Sequence, residues 1–231
     1  CESKRALPHS AEENQEDILK KHFNGREEKE RFYFKEDNEF HITKDRVLYV
    51  PYGESNSQDT FQYVQGLHPH LIILYGCSII KPPLLEYYDN RIINMHLGLS
   101  PFYRGAGTNF WPLVNGEPEC VGATIHLAIL RVDAGAMLGQ VRPPMTAKDD
   151  NHDIGCKTII AGTEMMIKCI PLYHDKKIDP LPQKSGGKLY KNKDFNAEAV
   201  QKMWNNLQEG MIRKYLAEKE KRDKKYPIVE R

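Results

Sequence analysis

The sequence has little of what marks secreted or membrane-spanning proteins. Its five cysteines are scattered and form no Cys-x-x-Cys pair, which argues against a disulfide framework and against a structural zinc site. No apolar run approaches the roughly 20 residues that a membrane-spanning helix needs, and the chain does not open with a signal-peptide pattern. We therefore expect a protein of the reducing cytoplasm, with no metal site and no membrane partner.

An excess of charge of one sign is also missing. The chain has 33 Lys and Arg against 32 Asp and Glu, a net charge of +1, so it carries no global field that attracts nucleic acid. The phosphate-cradling patterns Gly-x-Gly-x-x-Gly and Gly-Lys-Ser/Thr are absent. Nucleic acid is therefore not expected as a partner, and any polyanion must bind through a local site.

What is present predicts an α/β fold. A hydrophobic content of 40% in 231 residues is enough for one sizeable core. Apolar and alternating runs predict strands over residues 47–50, 71–75, 91–96, 121–129 and 137–142. The run 71–75 is typical of a central parallel strand covered on both faces, and 137–142 of an antiparallel edge. The pattern indicates a mainly parallel, Rossmann-like sheet flanked by helices.

Helical periodicity fills most of the remaining chain. It predicts helices over residues 11–23, 57–66, 84–88, 108–114, 149–173 and 196–225. The run 25–30 is too polar for a core and is interpreted as solvated surface. Residues 175–188 are rich in Pro, Gly and Lys, as in linkers. We therefore divide the chain into a catalytic domain, 1–174, and a linker with a C-terminal helical extension, 175–231.

Three polar residues at predicted strand ends suggest a reaction. Asn94, His96 and Asp133 fall where open parallel sheets place ligand sites. An amide can hydrogen-bond an oxyanion, an imidazole can carry a proton, and a carboxylate can fix the tautomer of that imidazole. Acyl transfer to an amine needs these groups and no nucleophilic Ser or Cys. Taken singly, they also suit a turn former, a buried core histidine and a turn or helix cap.

The surrounding motifs carry a family resemblance. Residues 93–107, 122–126 and 132–135 resemble the catalytic core of the folate-dependent formyltransferases, which include glycinamide ribonucleotide transformylase, methionyl-tRNA formyltransferase and the nucleotide-sugar N-formyltransferases. The likeness runs from about residue 69 to residue 138. It implies the formyltransferase fold, with a first strand and helix placed before Cys1, and 10-formyltetrahydrofolate as the formyl donor. It also implies that Asn94, His96 and Asp133 are catalytic.

The resemblance extends to the binding residues. It places the folate ring between two segments of the chain, on one side Tyr75, Gly76, Cys77, Ser78 and Ile79, and on the other Ala134, Gly135 and Ala136. It places Arg104, Gly105, Thr124 and His126 near the acceptor, with His126 able to orient Asp133 through a hydrogen bond. Residues 75–79 would also suit an ordinary strand-to-helix turn. Arg104 would also suit a surface ion pair, and Thr124 and His126 would suit packing within the sheet.

The acceptor is less well defined than the donor. The family's usual Ser-Leu-Leu-Pro is replaced by Gly-Leu-Ser-Pro at residues 98–101. An early phosphate loop and a barrel-like tRNA-binding tail are not recognisable, which favours a nucleotide-linked amino sugar or another small amine as acceptor. The alternatives are a glycinamide ribonucleotide or methionyl-tRNA acceptor, hydrolysis of the donor, and a non-catalytic folate-binding module. A homodimer stays open.

Overall fold

A four-stranded sheet lies at the centre of the protein. The computed structural model describes residues 13–34 and 43–231. Its strands are β1 (Ile72–Tyr75), β2 (Ile92–His96), β3 (Tyr103–Gly105), β4 (Ala123–Leu127), β5 (Met137–Val141) and β6 (Lys188–Tyr190). The central sheet has the order β1-β2-β4-β5, and β3 and β6 form a separate two-stranded sheet. With helices flanking the central sheet, the predicted α/β class is confirmed.

The helices lie around this sheet and at its ends. They are α1 (Glu13–Phe34), α2 (Gln58–Gly66), α3 (Leu84–Tyr87), α4 (Phe110–Val114), α5 (Asn151–His174), α6 (Ala197–Gln208), α7 (Met211–Ala217) and α8 (Lys219–Asp223). Ser57 caps α2 as predicted, because its hydroxyl accepts from the Thr60 amide. Asp150 and Asp153 form a capping box at the start of α5. None of the helices in residues 13–34 and 43–231 is long and apolar enough to cross a membrane.

The strand directions differ from the prediction. Within the central sheet, as far as the structure describes it, only β1 and β2 pair in parallel, whereas β2 with β4 and β4 with β5 are antiparallel. The expectation of a mainly parallel sheet was therefore wrong in this detail, although the antiparallel pairing of β5 is confirmed. β4 and β5 are joined by the loop of residues 128–136, and such direct connections favour antiparallel neighbours.

The first strand of the sheet is an edge and not a central strand. In β1 alternate side chains face solvent, with Ile73 44% and Tyr75 48% exposed. Ile72 and Leu74 pack instead beside the cluster of Leu84, Leu85 and Tyr88. The prediction of a strand covered on both faces was wrong, because the described residues leave the face that carries Ile73 and Tyr75 exposed; β1 also lies at the edge of the described sheet.

Two further local predictions need correction. Residues 47–50 form no strand and follow a short 3₁₀ turn, Lys44–Arg46, with Tyr49 76% exposed. An apolar run of four residues is compatible with a strand and with other structures, so the pattern alone does not specify a strand. α1 extends to Phe34, through the polar run 25–30, because ion pairs join Arg26 to Glu30 and Arg31 to Glu27 along its surface. Residues 11–12 of that predicted helix lie outside the described residues.

The C-terminal region is three helices and not one. Gly210 has a φ of +78°, a left-handed conformation that ends α6 and starts α7. Met203 of α6 and Ile212 of α7 are 0% and 3% exposed, in one core cluster with Trp111 and Leu113 of α4. Residues on both sides of position 175 therefore share a core.

This shared core leads to a test of whether the protein unfolds as one unit. Met203→Ala should lower the free energy of unfolding by about 2–5 kcal/mol, the usual cost of truncating a fully buried side chain. The exposed Lys202→Ala on the same helix should change it by less than about 0.5 kcal/mol. Urea unfolding followed by tryptophan fluorescence and by circular dichroism should show one coincident transition, shifted as a whole in Met203→Ala. Two transitions, of which only one shifts, would mean that the C-terminal helices are an independent unit.

Candidate active site

The three predicted catalytic residues meet at one cavity. Asn94 and His96 lie at the carboxyl end of β2, and Asp133 lies on the loop between β4 and β5. His126 of β4 stands opposite Asn94 in the strand register. All four side chains line a cavity of about 890 Å³, within the roughly 300–1,000 Å³ range of small-molecule sites.

A hydrogen bond joins Asn94 to His126 and fixes the tautomer of that ring. His126 Nδ1 lies 2.8 Å from the Leu127 carbonyl oxygen, which can only accept, so Nδ1 carries the hydrogen. In the neutral ring Nε2 is then an acceptor, and Asn94 Nδ2 donates to it across 3.1 Å. The second hydrogen of Asn94 Nδ2 does not take part in this bond, so Asn94 can offer a donor to a ligand.

His96 lies between a carbonyl and a carboxylate. Its Nε2 is 3.2 Å from the Tyr103 carbonyl oxygen, so Nε2 carries a hydrogen in the neutral ring. Its Nδ1 is 3.4 Å from Asp133 Oδ1. Burial lowers the pKa of His96 below its ordinary value, and the Asp133 charge offsets part of this decrease. His96 is therefore neutral at pH 7 and can take up a second proton at Nδ1, beside Asp133.

Asp133 is a buried carboxylate that stays charged. Its side chain is 11% exposed, and burial by itself raises its pKa. The neighbouring His126 and His96 rings and the hydrogen bond from the Gly105 amide lower it, and the net pKa lies below the ordinary value. The Gly105 N–H donates to Asp133 Oδ2 across 2.9 Å, and His126 Nε2 lies 3.7 Å from Oδ1.

Tight backbone packing places Asp133. Its φ of +50° is left-handed, a conformation that Asp tolerates better than most residues. A Cβ on Gly135 would lie 1.7 Å from the Leu127 carbonyl oxygen, so only glycine fits there. A Cβ on Gly98 would lie 2.6 Å from His96 Nε2. The glycines in these motifs therefore serve close approach of the backbone to the site.

Five of the predicted binding residues lie behind the cavity wall. Thr124 is fully buried, and its hydroxyl donates to the Gly98 carbonyl and accepts from the Ser100 amide, so it holds the loop after β2. The Gly135 carbonyl accepts a hydrogen bond from the Gln183 side chain, which is not part of the wall. The five residues that the structure does not bring into the wall are Arg104, Thr124, Ala134, Gly135 and Ala136. Gly105 and His126 do line it.

The segment predicted to hold the folate ring does line the cavity. Each of Tyr75, Gly76, Cys77, Ser78 and Ile79 contributes to the wall. Gly76, with a φ of +61°, turns the chain at the end of β1. Asn56 fixes the other end of the segment, since its side chain donates to the Ile79 carbonyl and accepts from the Lys81 amide. Sequence analysis missed Asn56, because nothing in the local pattern connects it to residues 25 positions away.

Other parts of the wall come from segments outside the recognisable motifs. α1 contributes Arg26 and Glu30, and β6 with the following turn contributes Tyr190, Lys191 and Asn192. The first pair lies in the run interpreted as solvated surface. The second set directly follows the predicted linker. No motif marks either segment, since their approach to the cavity depends on tertiary packing.

Two features of the described residues concern metal ligands and the thiol of Cys156. Across residues 13–34 and 43–231 no group of three or more His, Cys, Asp and Glu side chains could hold a metal ion. Cys156 lines the cavity from α5, but burial raises the pKa of its thiol to about 11. It is therefore protonated at neutral pH and a poor nucleophile.

Comparisons with known proteins identify a family for the chain. A sequence model of the formyl transferase family matches residues 16–170. Methionyl-tRNA formyltransferases of a Nostoc strain and of Streptococcus pyogenes are 31% and 30% identical to the chain over 151 and 136 residues. These alignments cover 64% and 59% of this chain, but only 44% and 43% of the relatives. The chain thus spans less than half the length of the curated relatives it matches.

Solved structures share the fold. The formyltransferase PseJ from Anoxybacillus kamchatkensis, in complex with UDP-4,6-dideoxy-4-formamido-L-AltNAc and tetrahydrofolate, gives a TM-score of 0.55 at 23% identity, over 75% of this chain and 90% of that one. Phosphoribosylglycinamide formyltransferase from Anaplasma phagocytophilum gives a TM-score of 0.52 at 18% identity, over 63% of this chain and 75% of that one. The family match spans more than half of the chain and includes Asn94, His96 and Asp133. The chain therefore belongs to the formyl transferase family.

Proposed function

We propose that this protein transfers a formyl group from 10-formyltetrahydrofolate to the primary amine of a small acceptor. The observation that carries the proposal is the meeting of Asn94, His96 and Asp133 at one cavity, beside the segment of residues 75–79. An amide donor, a neutral imidazole and a charged carboxylate are the groups that acyl transfer to an amine requires.

The cavity fits a folate donor in size and in surface. Tyr75 and Ile79 line it and are 48% and 54% exposed, so they offer an apolar surface that a flat ring would cover. Backbone groups of the same segment can read the polar edge of such a ring. The bound donor would supply the activated formyl carbon.

Asn94 would stabilise the charge that develops on the formyl oxygen. One N–H of Asn94 Nδ2 donates a hydrogen bond to His126, and this bond holds the amide in place. The other hydrogen can donate to the oxygen as it becomes negative. A donor that is already oriented needs no reorganisation during the reaction, which is the main source of its catalytic value.

His96 and Asp133 would manage the proton. His96 takes a proton from the attacking amine at Nδ1, and the Asp133 carboxylate, 3.4 Å away, stabilises the imidazolium. The same proton can then pass to the nitrogen from which the formyl group departs. The amine thus loses one proton, the departing nitrogen gains one, and the enzyme returns to its starting state.

A nucleotide-linked amino sugar is the acceptor class that we favour. Arg26 and Lys191 line the cavity, and cationic side chains there would suit an acceptor that carries both an amine and phosphates. Methionyl-tRNA is the second candidate, because the chain is about 30% identical to methionyl-tRNA formyltransferases over part of their length.

An assay with a panel of amines tests the proposal. Purified protein with 10-formyltetrahydrofolate is given a nucleotide-linked amino sugar, glycinamide ribonucleotide or methionyl-tRNA, and both tetrahydrofolate release and formylated product are measured. Product with one amine identifies the acceptor. Release of tetrahydrofolate at the same rate without any amine would indicate hydrolysis, and no folate binding by calorimetry would refute the proposed donor.

Substitution of the proton-handling pair should separate catalysis from binding. His96→Ala and Asp133→Asn should each lower kcat by about 10²-fold, because both residues act on the reacting amine. The dissociation constant of 5-formyltetrahydrofolate should change only a few fold. The matched control is His70→Ala, an exposed histidine away from the cavity. Wild-type turnover in either active-site variant would rule out the assigned roles.

The pH dependence should report the neutral form of His96. His96 acts in its neutral form, and burial lowers its pKa. As the pH decreases, kcat should therefore fall with a midpoint below about pH 6.5, the ordinary pKa of histidine. Asp133→Asn removes the carboxylate that raises this pKa, so the midpoint should move to lower pH. The maximal kcat of this variant should also be lower than that of the wild type. A midpoint that rises in this variant would contradict the coupling of the two residues. Rates are measured from pH 4.5 to 8.5 with saturating substrates.

A further inference from the structure

The short strand β3 touches both members of the proton-handling pair. The Tyr103 carbonyl oxygen lies 3.2 Å from His96 Nε2, and the Gly105 amide donates to Asp133 Oδ2 across 2.9 Å. These main-chain groups are two residues apart on one strand. The position of β3 therefore sets the orientation of the imidazole and of the carboxylate at the same time.

β3 is held in turn by β6. The two strands pair in parallel, with Tyr103 opposite Lys188 and Gly105 opposite Tyr190. The Lys188 amide donates to the Phe102 carbonyl, and the Ala106 amide donates to the Tyr190 carbonyl. Among the described residues no other strand pairs with β3.

Side chains reinforce this pairing at both ends of β6. The Tyr103 phenol is 1% exposed, donates to Glu117, and accepts from Asn115 and from Lys188 Nζ at 2.9 and 3.2 Å. Lys188 also forms an ion pair with Glu117 at 2.8 Å. Asn115 reaches the Tyr190 hydroxyl as well, at 2.9 Å. The Tyr190 ring stacks on Trp111 with centroids 4.3 Å apart.

We propose that Lys188 and Tyr190 are positioning residues that hold β3, and through it His96 and Asp133, in the arrangement that formyl transfer needs. Both residues lie outside the range 16–170 that the family model matches. The rate effects that follow rest on the proposed function. The effect on the His96 ring does not, because it depends only on the contact between Tyr103 and His96.

The substitution Lys188→Met should disturb the position of β3. Lys188→Met removes the cation that binds both Glu117 and the Tyr103 phenol, and so loosens β3. The bond from His96 Nε2 to the Tyr103 carbonyl, which favours the protonated ring, should weaken. The other groups that face this ring, Asp133 and His126, are unchanged. We therefore expect the pKa of His96 to decrease, and kcat to fall by about 10-fold, since displacements of about 1 Å in reacting groups can cost up to about 10²-fold.

The experiment compares variants of the full chain. Lys188→Met is the test, and Lys188→Arg is the conservative rescue. The control is Lys184→Met, because Lys184 is exposed, lies four residues before Lys188 and does not line the cavity. Tyr190→Phe keeps the ring stack and removes only the hydroxyl bonded to Asn115. The measurements are kcat, KM for the donor, thermal unfolding, and the NMR titration of the His96 ring.

The expected pattern is specific to positioning. Lys188→Met should lower kcat about 10-fold and Tyr190→Phe about 3-fold, with KM for the donor within about twofold and the His96 titration moved to lower pH. Lys188→Arg should recover most of the rate, and Lys184→Met should match the wild type. If Lys188→Met does not fold, Lys188→Arg and Tyr190→Phe carry the test.

An unchanged kcat together with an unchanged His96 titration in the folded variants would overturn the proposal. If the wild type transfers no formyl group to any amine, the proposed function fails. The His96 titration then still decides whether residues 188–190 position this ring, since it needs no turnover.

Discussion

The arrangement of the site depends on keeping one charge inside the protein. The Asp133 carboxylate is 11% exposed, and a charge in such a place is costly unless hydrogen bonds and opposite charges compensate for it. The Gly105 amide of β3 donates a hydrogen bond to it, and His96 of β2 and His126 of β4 lie 3.4 and 3.7 Å away, where the charge of a protonated ring would also offset it. Three strands must therefore converge on one residue. The left-handed backbone of Asp133 and the tight packing of Gly135 are the local conditions that bring it there.

A second buried network holds the loop that leads from β2 to β3. Thr124 bonds to both the Gly98 carbonyl and the Ser100 amide, and Gln140 donates to Thr124 and to the Ser100 carbonyl. The side-chain oxygen of Gln140, Oε1, accepts a hydrogen bond from the Val229 main-chain amide. Because each of these bonds satisfies a buried polar group, the network rigidifies the loop at little cost. The loop carries the chain from His96 to Tyr103, so this network also supports the contact between these two residues.

The sequence was sufficient to predict most elements and the meeting of Asn94, His96 and Asp133 at one cavity, and the reasons for the failed predictions differ. Asn94, His96 and Asp133 could be predicted together because strand ends and glycine-dependent turns leave a local signal. Thr124 was assigned to the acceptor through the family resemblance, which does not show that residues 98–100 bond to its side chain. The break at Gly210 was missed because a single glycine within an amphipathic pattern does not by itself end a helix. Strand direction depends on the path of the connections, which periodicity does not encode.

The cavity combines two kinds of wall, and this division bears on specificity. One kind carries the reacting groups and comes from segments with recognisable motifs. The other, formed by Arg26 and Glu30 of α1 and by residues 189–192, has no motif and is the natural place for acceptor recognition in the proposed function. β6 belongs to both, because it lines the cavity and also pairs with β3. A change in the acceptor wall there would therefore alter the orientation of His96 and Asp133 too. In the proposed function, acceptor choice and rate would then be physically coupled through β6, whereas the recognisable motifs contain only the predicted reacting groups.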